Sequence, residues 1–366
     1  MEKKMIDTKV LKTEERAAIK LRSLYKSYGY QPFKMSKFEE YDLYVRNKDF
    51  LVSDRVITFN DTSGKLLALK PDVTLSIIKN SKGKALEKYK AYYSENVYRV
   101  SGATGQFKEI MQTGLECIGE VSALDVLEVV TLAAESLAAV SEDFVLDISH
   151  MGIVTAILAE CGSNREFSRR VTEHIAEKNA HEIPALCEAY GVSFDVAAKL
   201  SALAGMYGDR ATVLSRLSEI CDSPEAREAL SELTELHKLL SSTAVSDKIR
   251  FDFSVVNNMK YYNGIVFKGF VAGIYEGILA GGEYDNLLKS MKRTGRGIGF
   301  ALYLDSLSEL DGKGDEYDAD VLLLYGEKSS LEAVHSKKLA LISEGKTVYS
   351  TSTVPSGLKF RETLEI

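Results

Sequence analysis

The sequence predicts an α+β fold, in which a mainly antiparallel sheet flanked by helices is interrupted by a helical insertion and followed by a small α/β unit. Three observations support this. Segments of alternating apolar residues, typical of strands, recur before residue 163 and again over 245–310. Residues 164–244 instead keep a helical period and are rich in Ala, Leu, Glu and Arg. The remaining residues, 311–366, change to a β-α-β order. We therefore expect domain segments 1–163, 164–244, 245–310 and 311–366.

The elements of the first segment follow from local pattern. A helix is predicted over 12–30, with Gly29 as its stop. A hairpin comes next, because RVITFN and KLLALK flank the polar turn DTSG. PDVTLSIIKN then predicts a helix with Pro71 near its first turn, where a missing N–H costs little. The remaining predictions are strands over 90–100, 107–119 and 143–149 and helices over 123–140 and 150–162.

The later elements are read in the same way. Breaks at HEIP, YGVS, MYGD and CDSPE divide the insertion into four or five helices. Strands return in KIRFDFSVV, YYNGIVFKGFVAG and YEGILAGG, and EYDNLLKSM is a helix before GIGFALYLDSL, a strand that runs into a helix. ELDGKGDEYDAD is a linker, and the tail reads as strand, helix, strand in DVLLLYG, SSLEAVHSKKLALISEG and TVYSTSTV.

Composition excludes several functional classes. The chain has 366 residues, 45% of them hydrophobic, and a net charge of −7, which does not favour nucleic-acid binding. Its four cysteines form no C-x-x-C pair, so neither a metal site nor a disulfide framework is expected. No segment approaches roughly 18 consecutive apolar residues and no secretory signal is apparent, so we expect a cytoplasmic chain with no membrane partner. Nucleotide-binding and zinc-protease motifs of the G-x-G-x-x-G, G-x-x-x-x-G-K-[ST] and H-E-x-x-H types are absent, and no cofactor is expected.

Four stretches carry the chemistry: LKPDVT (69–74), YRVSGATGQFKEIMQTGLECIG (98–119), NNMKYYNGIVF (257–267), and GGEYDNL with GIGFALYLDSL (281–307). Their order and spacing resemble the catalytic domain of class II aminoacyl-tRNA synthetases of the histidyl type. The resemblance covers residues 10–310 and includes the position of the helical insertion. It implies a class II synthetase-like sheet with an amino-acid pocket.

The resemblance implies a set of histidine-binding residues. An α-ammonium group prefers a carboxylate and neutral acceptors, whereas an imidazole prefers a carboxylate and a hydroxyl. Taken alone, Asp72 is equally well a helix cap, and Glu116 a strand residue that faces water. As a set, the implied residues are Asp72, Thr74, Gln112, Glu116, Tyr261, Tyr262 and Tyr284.

The nucleotide side departs from the synthetase pattern. Arg99 matches the family's motif 2 arginine and is the remaining phosphate-binding candidate. Asn257 and Ser306 stand where the synthetases have arginines, and one preorganised donor of this kind is worth on the order of 3–4 kcal/mol in the transition state. Further departures are Ser36, Gly102, Gln106, Lys108, Lys260 and Lys268. We therefore expect no catalytic residues and no useful amino-acid activation.

A second family fits this combination, the regulatory subunits of ATP phosphoribosyltransferase, which resemble histidyl-tRNA synthetases without aminoacylation activity. PDVT, with Asp rather than Glu, is also more similar to that family. The resemblance implies a role in histidine biosynthesis, a dimer, a short catalytic phosphoribosyltransferase subunit as partner, L-histidine as effector, and no tRNA partner. The alternative is a divergent synthetase-like enzyme that still adenylates an amino acid. A third hypothesis is an amino-acid-sensing or tRNA-binding module without a phosphoribosyltransferase partner.

Two points stay open at this stage. Losing the arginine at Asn257 weakens the case for histidine in this pocket, unless Lys260 or another cation substitutes, and histidine binding at a subunit interface remains an alternative. Two basic clusters are interpreted as solvated surface, with an anionic ligand or an acidic partner as the minority hypothesis: Lys79, Lys82, Lys84, Lys88 and Lys90, and Lys289, Lys292, Arg293 and Arg296. His150 and His174 are interpreted as structural.

Overall fold

The structure, a computed structural model, describes residues 11–51, 55–81, 88–101, 104–162, 164–256, 261–310 and 317–366. The chain forms two compact units, Met1–Leu310 and Asp311–Ile366. The finer division of the large unit into a synthetase-like domain and an insertion stays a prediction. Among the described residues, no helix is long and apolar enough to cross a membrane.

The strands of the described residues are β1 (Gln31–Pro32), β2 (Phe38–Glu40), β3 (Thr58–Asn60), β4 (Leu66–Leu69), β5 (Tyr89–Val100), β6 (Phe107–Gly119), β7 (Phe144–His150), β8 (Tyr207–Gly208), β9 (Ile249–Asp252), β10 (Ile265–Val271), β11 (Leu279–Glu283), β12 (Arg296–Tyr303), β13 (Ala319–Leu324), β14 (Val348–Thr351) and β15 (Phe360–Glu365).

The α-helices of the same residues are α1 (Thr13–Ser27), α2 (Tyr41–Arg46), α3 (Thr74–Asn80), α4 (Ala123–Ala138), α5 (Met151–Ala159), α6 (Arg165–Ala176), α7 (Ile183–Ala189), α8 (Phe194–Ala204), α9 (Arg210–Ser218), α10 (Pro224–Leu240), α11 (Asp285–Ser290) and α12 (Leu331–Ser343).

A large sheet organises the first unit. Its strand order is β1-β5-β6-β12-β11-β10-β7-β9-β8, antiparallel except for the β1–β5 and β7–β9 pairs. The β5–β6 hairpin is its longest pairing and runs from Tyr89 opposite Ile118 to Val100 opposite Phe107. Helices α1 and α4 cover one face with apolar side chains, and Tyr25 and Ser136 join them through a 3.0 Å hydrogen bond. This arrangement confirms the predicted α+β class.

A smaller antiparallel sheet, in the order β2-β4-β3, packs beside α2 and α3. It contains the predicted hairpin, in which Phe59 lies opposite Leu67 across the turn. Helix α3 begins at Thr74, so Pro71 lies near its first turn, just before the helix. The start of the helix is capped, because the Leu75 N–H donates to Asp72 Oδ1 at 2.9 Å.

Residues 164–244 contain α6 to α10, and side-chain caps begin most of these helices. Asn164, Ser193, Asp209 and Ser223 each accept a hydrogen bond from a backbone N–H in the first turn, at 3.0–3.4 Å. Helix α10 packs against α5, where His150 Nε2 lies 3.0 Å from Glu232 Oε2. The helical pattern predicted for this segment is therefore present.

The second unit holds a parallel sheet in the order β14-β13-β15, with α12 between β13 and β14. The sequence prediction ended at β14 and missed β15. The strand FRETLE is mostly polar and exposed, so it lacks the apolar run by which buried parallel strands are recognised.

Candidate functional site

A cavity of about 320 Å³ opens in the large unit, beside the β5, β6, β11 and β12 strands. This volume lies at the small end of the range for ligand sites. The eight residues selected from the sequence all line it: Asp72, Thr74, Arg99, Gln112, Glu116, Tyr261, Tyr262 and Tyr284. The fold therefore brings together residues that come from four separate stretches of the chain.

Secondary structure explains how these side chains converge. Gln112 and Glu116 are four residues apart on β6, so they project from the same face of the strand. Thr74 opens α3, and Tyr284 follows β11 directly. Each of these polar side chains therefore reaches the cavity from the end of a helix or strand, or from one face of a strand.

Glu116 is the most constrained polar group of the cavity. Its side chain is 2% exposed and accepts hydrogen bonds from Thr74 Oγ1 and from the Tyr284 hydroxyl, each at 2.6 Å. Burial raises the pKa of the Glu116 carboxyl to about 8, although both hydroxyl donors act in the opposite direction. Without a cation beside it, the carboxylate form is therefore costly, and a cationic ligand group would favour it. The interpretation of Glu116 as a water-facing strand residue was wrong.

Gly299 makes the position of Glu116 possible. The two residues lie opposite each other in the β12–β6 pairing. A Cβ atom at residue 299 would overlap Glu116 Oε2 and would also crowd the backbone oxygen of Leu115. Glycine is therefore required here by close approach rather than by its backbone angles.

Asp72 has two roles at once. One carboxylate oxygen accepts the Leu75 N–H, as the helix-cap interpretation predicted, and the side chain also lines the cavity. Burial raises its pKa, while the Leu75 N–H and the charge of Arg99 act against that rise. Asp72 thus adds a second acidic group to the cavity wall.

Gln112 supplies an acceptor that the protein leaves unpaired. Its side chain is 2% exposed, and Oε1 has no hydrogen-bond partner among the described residues. Such a group costs roughly 1–3 kcal/mol when buried. A ligand donor at this position would recover that cost.

Tyrosine rings form the apolar walls. The ring centroids of Tyr261 and Tyr262 are 4.5 Å apart, and those of Tyr261 and Tyr284 are 6.0 Å apart. Burial raises the pKa of all three phenols, so they stay protonated and act as hydroxyl groups near neutral pH. The walls therefore suit a flat ring with polar edges.

Arg99 brings a permanent positive charge to the cavity. Its Nε donates to the Pro71 carbonyl oxygen at 3.1 Å, and its guanidinium carbon lies 5.8 Å from the centre of the Tyr303 ring. Among the described lining residues it is the only lysine or arginine. The hydrogen bond from Nε and the Tyr303 ring therefore orient the guanidinium group of Arg99. Its terminal nitrogens are left to bind an anionic ligand group.

The departures from the synthetase pattern fall in different places. Gly102, Asn257 and Lys260 lie outside the described residues. Ser36, Gln106 and Lys108 are exposed, and Ser306 lies in a short 3₁₀ helix, Asp305–Glu309. Lys268 Nζ lies 5.3 Å from the centre of the Phe270 ring, and the residue does not line the cavity.

The basic clusters are largely engaged with acidic neighbours. Lys79 pairs with Glu39, Lys88 with Asp125 and Lys90 with Glu128, at 2.6–2.7 Å. Arg296 pairs with Glu283, and Arg293 donates to the Ile78 carbonyl oxygen. Lys82 and Lys84 lie outside the described residues. These pairs favour the surface interpretation over an anionic ligand.

The two histidines interpreted as structural lie at the start of one helix and in the last turn of another. His150 Nδ1 accepts the Gly152 N–H at 3.1 Å, which caps α5, so its proton lies on Nε2 toward Glu232. His174 lies in the last turn of α6. Over the described part of the chain, no group of three or more His, Cys, Asp or Glu residues is placed to hold a metal ion.

Sequence reasoning missed several lining residues. Phe50, Leu51, Tyr93 and Tyr303 contribute walls, and Gly299 contributes space. For two of these residues the sequence contained a signal, a glycine inside a predicted strand. A Cβ at Gly114 would lie 2.7 Å from the Tyr93 hydroxyl, and a Cβ at Gly299 would overlap Glu116. Glycines inside strands mark close approach, and both sit in strands that were predicted.

The polar lining residues determine which kind of ligand the cavity can bind. Acidic and neutral acceptors occupy one part, with Glu116 beside two hydroxyls, and Arg99 stands at another part of the wall. This suits a small zwitterion with a cationic or hydrogen-bonding ring. Together, the large antiparallel sheet and the position of this cavity define a class II synthetase-like domain.

Comparison with known proteins narrows that class. The family model described as histidyl-tRNA synthetase matches residues 6–307. A relative from Thermoanaerobacter sp. (strain X514), named ATP phosphoribosyltransferase regulatory subunit, is 30% identical over 336 residues, which are 90% of this chain and 87% of the relative. One of the same name from Oceanobacillus iheyensis is 28% identical over 83% of this chain and 76% of the relative. The chain therefore belongs to the histidyl-tRNA synthetase-like family of ATP phosphoribosyltransferase regulatory subunits.

Solved structures agree on the fold. An ATP phosphoribosyltransferase regulatory subunit/histidyl-tRNA synthetase from Bacillus halodurans C matches with a TM-score of 0.77 at 23% identity, over 96% of this chain and 93% of that one. A chain of an ATP phosphoribosyl transferase complex from Thermotoga maritima matches with a TM-score of 0.62 at 21% identity, over 80% of this chain and 97% of that one.

Proposed function

We propose that this chain is a non-catalytic regulatory subunit that activates a short catalytic ATP phosphoribosyltransferase subunit and makes the complex responsive to L-histidine. The names of its relatives support the partner. The cavity around Glu116 carries the effector part of the proposal, because its buried acceptors are incompletely satisfied by the protein.

The proposed position of histidine follows from the polar groups. The imidazole lies between the tyrosine rings and hydrogen-bonds to Glu116, which Thr74 and Tyr284 orient. The α-ammonium group lies near Asp72 and donates to the open Oε1 atom of Gln112. In this arrangement the ammonium group meets the unpaired Oε1 atom of Gln112, and the imidazole meets the buried carboxyl of Glu116, whose charged form burial disfavours.

Arg99 then takes the histidine carboxylate. Asn257 stands where the synthetases have the arginine for this task, and Arg99 is the cation that the described cavity wall provides. A guanidinium fork binds a carboxylate with two parallel hydrogen bonds. An arginine occupied in this way is not free for the phosphates of ATP, in keeping with a role in sensing rather than in amino-acid activation.

The regulatory effect is a coupling between two sites. Histidine changes the activity of the partner only as far as it binds the two states of the complex with different affinity. Couplings of this kind are typically about 1–3 kcal/mol, or about 5–150-fold in affinity. We further propose that the chain forms a dimer, around which the catalytic subunits bind.

Mixing the purified chain with a short catalytic subunit tests the regulatory part. We expect phosphoribosyltransferase activity to rise on mixing and to fall again when histidine is added. A catalytic subunit whose rate does not change on mixing would contradict activation. Histidine-dependent exchange between ATP and pyrophosphate by the chain alone would instead favour a synthetase-like enzyme.

Calorimetry with histidine tests the cavity separately. We expect Glu116→Ala to weaken binding by at least tenfold, since a charge-assisted hydrogen bond is worth about 1.5–3 kcal/mol. The matched control is Glu109→Ala, which removes an exposed carboxylate from the same strand. Equal affinities for both variants would place histidine elsewhere, even if the mixing assay succeeds.

A further inference from the structure

A second cavity, which shares no lining residue with the cavity around Glu116, has its own charged lining. It has a volume of about 530 Å³ and lies where α9, the edge strand β8 and its neighbour β9 meet. Its lining residues are Gly208, Asp209, Arg210, Ser246, Asp247, Ile249 and Arg250. None of them belongs to the histidine site proposed above, so this cavity is a separate candidate site.

Arg210 is a buried cation whose charge is poorly compensated. The residue is 8% exposed, and its Nη2 donates to the Ser246 hydroxyl oxygen at 2.5 Å. Nη1 is buried and has no hydrogen-bond partner among the described residues, and no salt bridge forms with any of them. Burial lowers the pKa of Arg210, yet a guanidinium does not lose its proton in a protein. A buried lysine can escape this cost by becoming neutral, whereas an arginine needs a counter-charge.

The nearby carboxylates do not supply that counter-charge fully. Asp209 opposes the lowering of the Arg210 pKa, but it is exposed, and Oδ2 already accepts from Thr212 N and Thr212 Oγ1, at 3.0 and 3.1 Å. Asp247 is also exposed and forms no salt bridge among the described residues. Solvent screens both groups, so their effect on the buried guanidinium is small.

Two further donors line the same cavity. Arg250 is exposed on β9, and Ser246 lies in the 3₁₀ turn Ser246–Lys248. Two arginines and a serine thus line the cavity from different elements, which suits an oxyanion with several acceptor directions rather than a planar carboxylate. The first turn of α9 is not the source of binding, because Asp209 already caps it.

From this geometry we infer that the cavity binds a phosphate-class oxyanion between Arg210 and Arg250, with the Ser246 hydroxyl as an additional donor. The bound anion supplies the counter-charge that the buried Arg210 lacks. This inference is independent of the proposed regulatory function and of histidine binding.

Calorimetric titration of the whole chain with inorganic phosphate, at constant pH and ionic strength, tests the site. We expect saturable binding that Arg210→Met weakens by at least tenfold, because the methionine keeps most of the stem volume but removes the charge. The matched control is Arg216→Met, which removes the same charge from the same helix at a residue outside the cavity. Absence of saturable binding in the wild type, or equal affinity in wild type and Arg210→Met, overturns the inference.

Two further arms keep the test decisive. If Arg210→Met does not fold, Arg250→Met takes its place, because the Arg250 side chain is exposed. We expect Arg250→Met to bind phosphate severalfold more weakly than the wild type, and unchanged affinity overturns the inference. Acetate at the same ionic strength is expected to bind at least tenfold more weakly than phosphate. Acetate binding as tight as that of phosphate overturns the assignment to a phosphate-class anion.

Discussion

Replacing Glu116 by glutamine tests whether the cavity holds a carboxyl that is costly to ionise. Burial raises the pKa of this group from 4.5 to about 8, whereas the unfolded chain titrates near 4.5. Between these values the folded chain keeps a proton that the unfolded chain releases. The stabilising contribution is therefore full below about pH 4.5 and is lost as the pH rises through about 8.

The size of the effect follows from that pKa. Over pH 5.5 to 8.5 the folded carboxyl goes from fully protonated to mostly ionised, while the unfolded one is ionised almost throughout. At about 1.4 kcal/mol for each tenfold change in proton affinity, the wild type should lose about 3 kcal/mol of unfolding free energy relative to Glu116→Gln. The glutamine has the same size and still offers an acceptor to Thr74 or Tyr284, so packing changes little.

Urea unfolding at several pH values measures this difference. The chain has no tryptophan, and five tyrosines line the cavity, so near-ultraviolet circular dichroism reports on the relevant unit. Glu109→Gln, on an exposed part of the same strand, should follow the wild-type pH dependence. If wild type and Glu116→Gln show the same pH dependence, Glu116 is not a carboxyl of raised pKa and the reasoning fails.

Two further changes test the surroundings of the cavity. Gly299→Ala sets a methyl group against Glu116 and should weaken histidine binding at least tenfold by calorimetry. The control is Gly326→Ala, which should leave the affinity unchanged because its new Cβ would meet only Ser329 Oγ, at 4.0 Å. Unaltered affinity in Gly299→Ala would show that Glu116 can move freely. Lys70→Met leaves Glu95 without its partner in a pair whose lysine is 1% exposed, and should lower the unfolding free energy by about 3 kcal/mol in urea. Lys65→Met, in the exposed pair with Glu40, should cost less than about 1 kcal/mol, and equal losses would contradict a buried role for Lys70.

The sequence was sufficient to select the cavity residues because they come from motifs with a fixed order. LKPDVT places Asp72 and Thr74 at the start of α3, and the β6 stretch places Gln112 and Glu116 on the large sheet. The resemblance predicts that these elements adjoin, so selecting these residues needed no contact information beyond the motif order. The histidine-binding role of the residues stays a prediction.

Other features depend on distances that a sequence does not contain. The sequence offered Asp72 either as a helix cap or as a binding residue, but its Oδ1 accepts the Leu75 N–H and the same side chain also lines the cavity. The contact between Arg99 and Tyr303 joins two strands that are far apart in sequence, and no local pattern indicates it. Strand β15 was missed for another reason, since it is stabilised by pairing with β13 while its own residues are mostly polar.

The polar groups of the cavity reduce the stability of the fold. Glu116 is buried with a raised pKa, and Gln112 Oε1 has no hydrogen-bond partner among the described residues, so burying each of them costs free energy of folding. Apolar side chains of similar size would fill the same space without this cost. Polar groups that lower stability are typical of functional sites, where a ligand compensates for them. We propose that histidine is that ligand, and that the free energy recovered at Glu116 and Gln112 on binding is what shifts the state of a partner subunit.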